Sequence, residues 1–253
     1  MKTSKLALLL IVFFCCTYTT TTFAQDEDLY KKPSKNSQAY HKYKTYNNKC
    51  YTSTKINKLL NIDRKKALND EGDRGYNISD KTFNSFNTYE LLNYCSVYPE
   101  SYSQICDEGI PIQNEDKKIM AYLSDNYDSY GLSMRQKDAL LSNKKAILKL
   151  ITDCAIKEKH LGNTYKWILL NINAYESIPA LIKVYNSNTI KDADVLTLLM
   201  ALMAEGKYKH FLNSAIYKKL YDSDQPSYHP FLNLNKTNED FIINKAAAYH
   251  ASK

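Results

Sequence analysis

Four neighbouring residues, Asp153, Cys154, Glu158 and His160, are of types that could form a nucleophile with its base or bind a metal. Cys154 and Glu158 are four residues apart, a spacing that places both on one face of a helix. A thiolate–imidazole pair would also need His160 beside Cys154, but six residues rotate it about 240° around a helix. Because Cys154 falls on an apolar stripe, a core cysteine and a helix-terminal histidine explain the pattern without catalysis.

The sequence lacks the local motifs of the common cofactor-binding and hydrolytic enzymes. Its six glycines are spaced so that neither G-x-G-x-x-G nor a P-loop can be written, which excludes dinucleotide and P-loop sites of the usual kind. The motifs G-x-S-x-G, C-x-x-C and H-E-x-x-H are also absent. We therefore predict no catalytic residues, no cofactor and no metal ligands. The enzymatic alternative is a hydrolase with a dispersed site that uses carboxylates such as Glu176 and Glu205.

Cysteine usage permits disulfides beyond the N-terminal region. Four cysteines, at positions 50, 95, 106 and 154, allow three pairings in an oxidising compartment. Cys95 and Cys106 are eleven residues apart with Pro99 between them, a spacing that could staple two consecutive short helices. We name Cys95–Cys106 as the candidate disulfide. Reduced cysteines buried in the core are the alternative, since a thiol packs well as a small apolar group.

The N-terminus has the composition of a secretory signal peptide. Lys2 and Lys5 precede an apolar run over residues 6–16, and a polar stretch after it ends at Ala24. The apolar run is too short to cross a bilayer as a helix. We predict a signal peptide over residues 1–24, and hence an exported protein of the periplasm or cell exterior without a membrane span in its mature chain.

Residues 25–52 contain almost no aliphatic side chains and interleave lysines with tyrosines. Such a segment has little apolar surface to offset the entropy lost on ordering, so we predict a flexible leader. The alternative is an arm that binds a polyanion through its cations and stacked rings. The whole chain has a formal net charge of +7 but no clustered basic patch, so nucleic acid is not expected as a partner.

From residue 53 onwards the pattern becomes helical, which predicts a single all-α domain over 53–253. We expect it to be looser over 53–131 and more regular over 133–253. In the looser part, Asn114 is expected to open a helix whose apolar face continues to Tyr127. Short links between the helices that follow would force them into an antiparallel array.

Helix signals are clearest after residue 132. Ser133 and Gln136 fit a capping box, and Pro179 lies in a first turn, where its missing amide costs nothing. Predicted N-caps of later helices are Asn163, Asp192 or Asp194, and Thr237. One helix has apolar residues with the spacing i, i+3, i+4, i+7, i+8, namely Ile147, Leu150, Ile151, Cys154 and Ala155.

The segment Ser177–Gly206 resembles one HEAT repeat. Its first helix would open with Ile178-Pro179-Ala180-Leu181-Ile182, and an acidic residue, Asp192, would start its second. The resemblance implies a short α-solenoid that serves as a scaffold or protein-binding surface, and it carries no catalytic motif. We therefore predict an exported, non-catalytic helical binding or scaffold protein whose partner is another envelope or extracellular protein. The alternatives are an envelope-associated hydrolase and a polyanion-binding envelope protein.

Overall fold

The computed structural model of this chain is mostly helical, which confirms the predicted all-α fold class. The residues that it describes are 32–67, 78–102, 112–123, 130–221 and 230–253. The predicted signal peptide lies outside them. Among these residues, no helix combines the length and the apolar character needed to cross a membrane.

From Met134 to Tyr221 the helices are joined by short links, and the small sheets of the described residues form where distant segments meet. In chain order the α-helices are α1 (Lys35–Lys44), α2 (Thr54–Ala67), α3 (Asp80–Phe83), α4 (Thr88–Val97), α5 (Met134–Ser142), α6 (Lys144–Glu158), α7 (Asn163–Asn171), α8 (Ile178–Ser187), α9 (Ala193–Glu205), α10 (Lys209–Leu212), α11 (Ala215–Tyr221) and α12 (Lys236–Ala251). Two 3₁₀ turns span Glu115–Lys117 and Tyr175–Ser177. The strands are β1 (Ser101–Tyr102), β2 (Lys118–Met120), β3 (Tyr130–Gly131) and β4 (Phe231–Asn233).

Helix α9 is the centre of the core. It packs against α7, α8, α10, α12 and strand β2, and almost all of its residues from Ala193 to Met203 are buried. Asp192 caps it by accepting a hydrogen bond from the Asp194 amide, as the sequence predicted. The helix ends at Gly206, where a Cβ atom would overlap the Tyr249 hydroxyl of α12. Glycine is therefore needed here for the close approach of two helices.

Several sequence signals hold in the regular part of the chain. Ser133 and Gln136 form the predicted capping box at the start of α5. Pro179 lies in the first turn of α8. The predicted stripe of α6 is buried except for Leu150, which is half-buried. The segment that resembles a HEAT repeat comprises α8 and α9, which pack against each other, and the solenoid stays a prediction.

The prediction of a flexible leader over residues 25–52 is wrong for residues 35–44, which form helix α1; residues 25–31 lie outside the described part. Ser34 caps α1 through the Ser37 amide. The buried Tyr40 hydroxyl donates to the Lys191 carbonyl over 2.9 Å and accepts from the Ala193 amide over 2.8 Å. A tyrosine ring thus supplies the apolar surface that aliphatic residues do not, while its hydroxyl bonds the backbone.

The predicted helix from Asn114 to Tyr127 is also wrong. Asn114 has a left-handed backbone, with φ of 54°, and the 3₁₀ turn after it leads into β2. Strand β2 pairs antiparallel with β4, so that Ile119 faces Leu232 across the sheet. The strand is formed by a partner more than 100 residues away, which local helical spacing could not show. Tyr127 lies outside the described residues.

Two predicted caps are shifted. Gly162 is the N-cap of α7, and the amide of Asn163 donates instead to the Tyr46 carbonyl over 3.2 Å. Asn235, rather than Thr237, caps α12 by accepting from the Asn238 amide. Each true start lies within two residues of the predicted one, as is usual for helix boundaries.

Candidate functional site

The cysteines form one disulfide among the described residues, between Cys50 and Cys154, whose Cα atoms are 5.8 Å apart. This is one of the three possible pairings, and it leaves Cys95 and Cys106 as the remaining pair. Cys95 is a buried thiol in α4, whereas Cys106 lies outside the described residues. The predicted Cys95–Cys106 bridge therefore stays a prediction.

At the end of α6, the four residues considered for catalysis do not form a nucleophile with its base. Cys154 is in the disulfide, and Asp153 forms an exposed ion pair with Lys149 at 2.6 Å. The His160 ring contacts the Tyr46 carbonyl through Nε2 at 3.1 Å. Glu158 lies against the disulfide, with Oε1 2.9 Å from the Cys50 sulfur.

His160 should make stability depend on pH. Burial lowers the pKa of His160, outweighing the hydrogen bond to the Tyr46 carbonyl, which raises it. Between the folded pKa and the unfolded value of about 6.5, the unfolded chain therefore binds more protons, and stability is lost as pH falls through this window. We expect urea midpoints measured from pH 7.5 to pH 5 to decrease less in His160→Gln than in the unmodified protein.

An exposed histidine provides the control for this measurement. His210→Gln, at the surface of α10, is the control for replacing a histidine by glutamine at an exposed position. An unmodified slope in His160→Gln would show that other groups cause the dependence.

Five charged residues, Lys44, Glu115, Lys166, Asp192 and Asp194, form a buried ionic cluster where α1, α7 and α9 meet the first 3₁₀ turn. Lys44 Nζ is 2.9 Å from a Glu115 oxygen and 3.0 Å from an Asp194 oxygen. Lys166 Nζ is 2.7 Å from Asp192 and donates to the Lys44 carbonyl over 2.8 Å. None of the five residues is more than 4% exposed.

Burial and neighbouring charges shift the pKa values of the cluster residues, and their net effect differs between Asp192 and Lys44. Burial raises the pKa of Asp192, although Lys166 opposes the shift. Burial alone would lower the pKa of Lys44, but Asp194 and Glu115 outweigh it and raise the pKa, so this ammonium stays charged. Because these side chains are almost entirely buried, their ion pairs connect α1, α7, α9 and the first 3₁₀ turn.

A surface groove, the candidate binding site, lies between α6, α8 and the second 3₁₀ turn and has a volume of about 560 Å³. Its lining comprises Lys144, Lys145, Leu148, Lys149, Thr152, Glu176, Ser177, Pro179 and Ala180. Lys144 is held in place by an ion pair with Glu176 at 2.8 Å. Lys145 is exposed and has no ion pair among the described residues.

The two carboxylates considered for a hydrolase are not both in this groove. Glu176 lies in it, whereas Glu205 is exposed at the end of α9 and does not line it. No family model, curated protein or solved structure matches the chain. A functional assignment therefore depends on the side chains of the groove.

Sequence reasoning did not find the lysines of the groove, although a signal was present. Lys145 and Lys149 are four residues apart and lie on the exposed face of α6, opposite the buried Ile147 and Ile151. A helical projection of this segment separates a cationic face from an apolar one. It could not show that α8 would form the other wall.

Proposed function

We propose that this chain is an exported, non-catalytic binding protein that holds an acidic segment of another protein in the surface groove. The observation that carries the proposal is the combination of Lys145, a cation without an ion pair among the described residues, with apolar lining residues between two packed helices. A volume of about 560 Å³ is suited to a few side chains of a partner.

The groove has two kinds of surface that favour one kind of occupant. Leu148, Pro179 and Ala180 supply apolar area, which gains from contact with an aliphatic or aromatic side chain. On α6, Lys145 supplies a cation without an ion pair among the described residues, and Lys149, which has an exposed ion pair with Asp153, supplies a second. A segment that combines Asp or Glu with an apolar residue would satisfy both surfaces.

The number of carboxylates that line the groove favours binding over hydrolysis. A glycosidase-type or general acid–base mechanism needs two groups within reach of the reacting bond. Among the described residues that line the groove, Glu176 is the one carboxylate, and Lys144 is bonded to it. The proposal therefore assigns Glu176 to positioning Lys144.

The polyanion-binding alternative has lost part of its basis. It required a flexible lysine- and tyrosine-rich arm, but residues 35–44 form α1 and Lys44 is buried in the ionic cluster.

Export is supported by the Cys50–Cys154 disulfide, because disulfides persist in oxidising compartments.

Charge reversal in the groove tests the proposed function. We expect Lys145→Glu with Lys149→Glu to weaken binding of labelled hexapeptides, composed of Asp, Glu and Leu, by about tenfold or more, since attraction becomes repulsion. Fluorescence anisotropy at low and high salt measures this affinity, which should fall as salt screens the charges.

The matched control for this experiment is the double variant Lys218→Glu with Lys219→Glu, which changes two exposed residues of α11 outside the groove lining. It should bind the hexapeptides as the unmodified protein does. Equal losses in the control and the groove variant would assign the binding to net charge. No measurable binding of any acidic hexapeptide would contradict the proposal directly.

A further inference from the structure

Three potential metal ligands meet where α6 ends. One ligand atom each from Cys50, Cys154 and Glu158 lie within 4.8 Å of one another. Glu158 Oε1 is 2.9 Å from the Cys50 sulfur. A disulfide sulfur carries no proton for a carboxylate to accept, so in the oxidised protein this contact supplies no hydrogen bond. Among the described residues, the polar contacts of the Glu158 carboxylate are with Asn48 and the Cys50 sulfur, and it forms no ion pair.

The carboxylate of Glu158 is oriented by Asn48. The Asn48 side-chain amide donates to Glu158 Oε2 over 2.6 Å and to the His160 carbonyl over 3.0 Å, and its oxygen accepts from the Gly162 amide. With Oε2 and Asn48 fixed in this way, Oε1 stays directed at the sulfurs. Metal sites commonly use such an outer hydrogen bond to orient a ligand.

We propose that Cys50, Cys154 and Glu158 bind a zinc-type divalent cation when the disulfide is reduced. A dithiol gives two electrons and two protons to the sulfur–sulfur bond, which breaks into two thiols, while the dithiol becomes a disulfide. The cation then displaces the two thiol protons and takes Glu158 Oε1 as its third ligand. A water molecule fills the fourth position. Two thiolates select Zn²⁺ over Mg²⁺ or Ca²⁺.

The local structure allows the small movement that coordination requires. Each sulfur must lie about 2.3 Å from the cation, so the two sulfurs must separate. Cys154 is fixed in α6, but Cys50 is half-buried in the non-helical segment between α1 and α2. It can shift without breaking a helix, and both reductant and cation can reach it from solvent. Oxidation and metal binding are mutually exclusive because they use the same sulfur electron pairs.

Cobalt is the probe for this site, since Co²⁺ replaces Zn²⁺ and its thiolate complexes absorb strongly in the near ultraviolet. The full chain is used with Cys15, Cys16, Cys95 and Cys106 replaced by alanine, so that the remaining thiols belong to the site. After reduction with a phosphine and its removal under nitrogen, we expect one Co²⁺ per chain, a thiolate-to-cobalt band, and displacement by Zn²⁺. The oxidised protein should show no such band.

Glu158→Gln and Asp153→Asn form a matched pair for the third ligand. Asp153 is an exposed carboxylate on the same helix, with Lys149 as its partner. We expect Glu158→Gln to raise the apparent Kd for Co²⁺ at least tenfold and Asp153→Asn to leave it unchanged, with Glu158→Asp between them. Circular dichroism of each reduced variant checks the fold. Absence of the band in the folded, reduced parent, or equal affinity in Glu158→Gln, would overturn the proposal.

Discussion

Replacing Lys166 with methionine is expected to lower the free energy of unfolding by about 3–5 kcal/mol, because it leaves a buried carboxylate without its cation. Lys166 Nζ is 2.7 Å from Asp192 and also bonds the Lys44 carbonyl. Methionine retains the length and apolar stem of lysine, so the loss reports the missing charge more than missing volume. Urea unfolding followed by circular dichroism measures it.

Two comparisons make this result specific. Lys236→Met removes an exposed i,i+4 ion pair with Asp240 and should leave the urea midpoint nearly unchanged. Adding Asp192→Asn to Lys166→Met should recover part of the stability, since the carboxylate that lost its cation is then a neutral amide. The loss should also shrink at lower pH: because burial already raises the pKa of Asp192, this carboxyl takes up its proton readily as pH falls. A loss no larger than that of Lys236→Met would show that the cluster contributes little.

Reduction of the Cys50–Cys154 disulfide has the second large expected effect. The bridge joins residues 104 positions apart, and a cross-link that closes a loop of about 100 residues contributes up to about 4.7 kcal/mol through the entropy of the unfolded chain. We expect a large decrease in the urea midpoint when a reductant is added in the absence of divalent metal.

The double variant Cys50→Ala, Cys154→Ala separates this bridge from the predicted one. In that variant a reductant should have no further effect if Cys95 is a free thiol. A second decrease would reveal the predicted Cys95–Cys106 disulfide. An unmodified protein whose midpoint is insensitive to reductant would contradict the stabilising role of Cys50–Cys154.

Helices of the second half could be predicted because their signals are local. A capping box at Ser133, a proline at position 179 and an aspartate cap at position 192 each act within four residues of themselves. Apolar residues on one face of α6 then show which side is buried. These signals fix where a helix lies but leave open what packs against it.

The buried ionic cluster could not be predicted, since its members are distant in sequence. Lysine is rarely buried without a partner, and no local pattern around Lys44 or Lys166 indicates that these side chains are buried. Each is buried because its carboxylate partners arrive on other elements: Lys44 meets Glu115 and Asp194. Because Lys44 belongs to α1, these contacts also hold in place a segment that the sequence predicted to be flexible.

The sequence did not identify strand β2 or the Cys50–Cys154 bridge, because each depends on a contact between distant segments of the chain. Strand β2 exists through pairing with β4, and sequence alone left three cysteine pairings open. The groove depends likewise on the docking of α8 beside α6. The exposed lysines of α6 could be recognised in the sequence, but the position of α8 as the second wall of the groove could not.

The central position of α9 constrains how this chain can be synthesised. Helix α12, spanning residues 236–251, covers part of α9, so one side of this most apolar helix stays uncovered until that segment has been made. A nascent chain with such a helix must be shielded from aggregation, either by a chaperone or by rapid completion. Late burial would also delay folding, which suits a protein that is predicted to cross a membrane first.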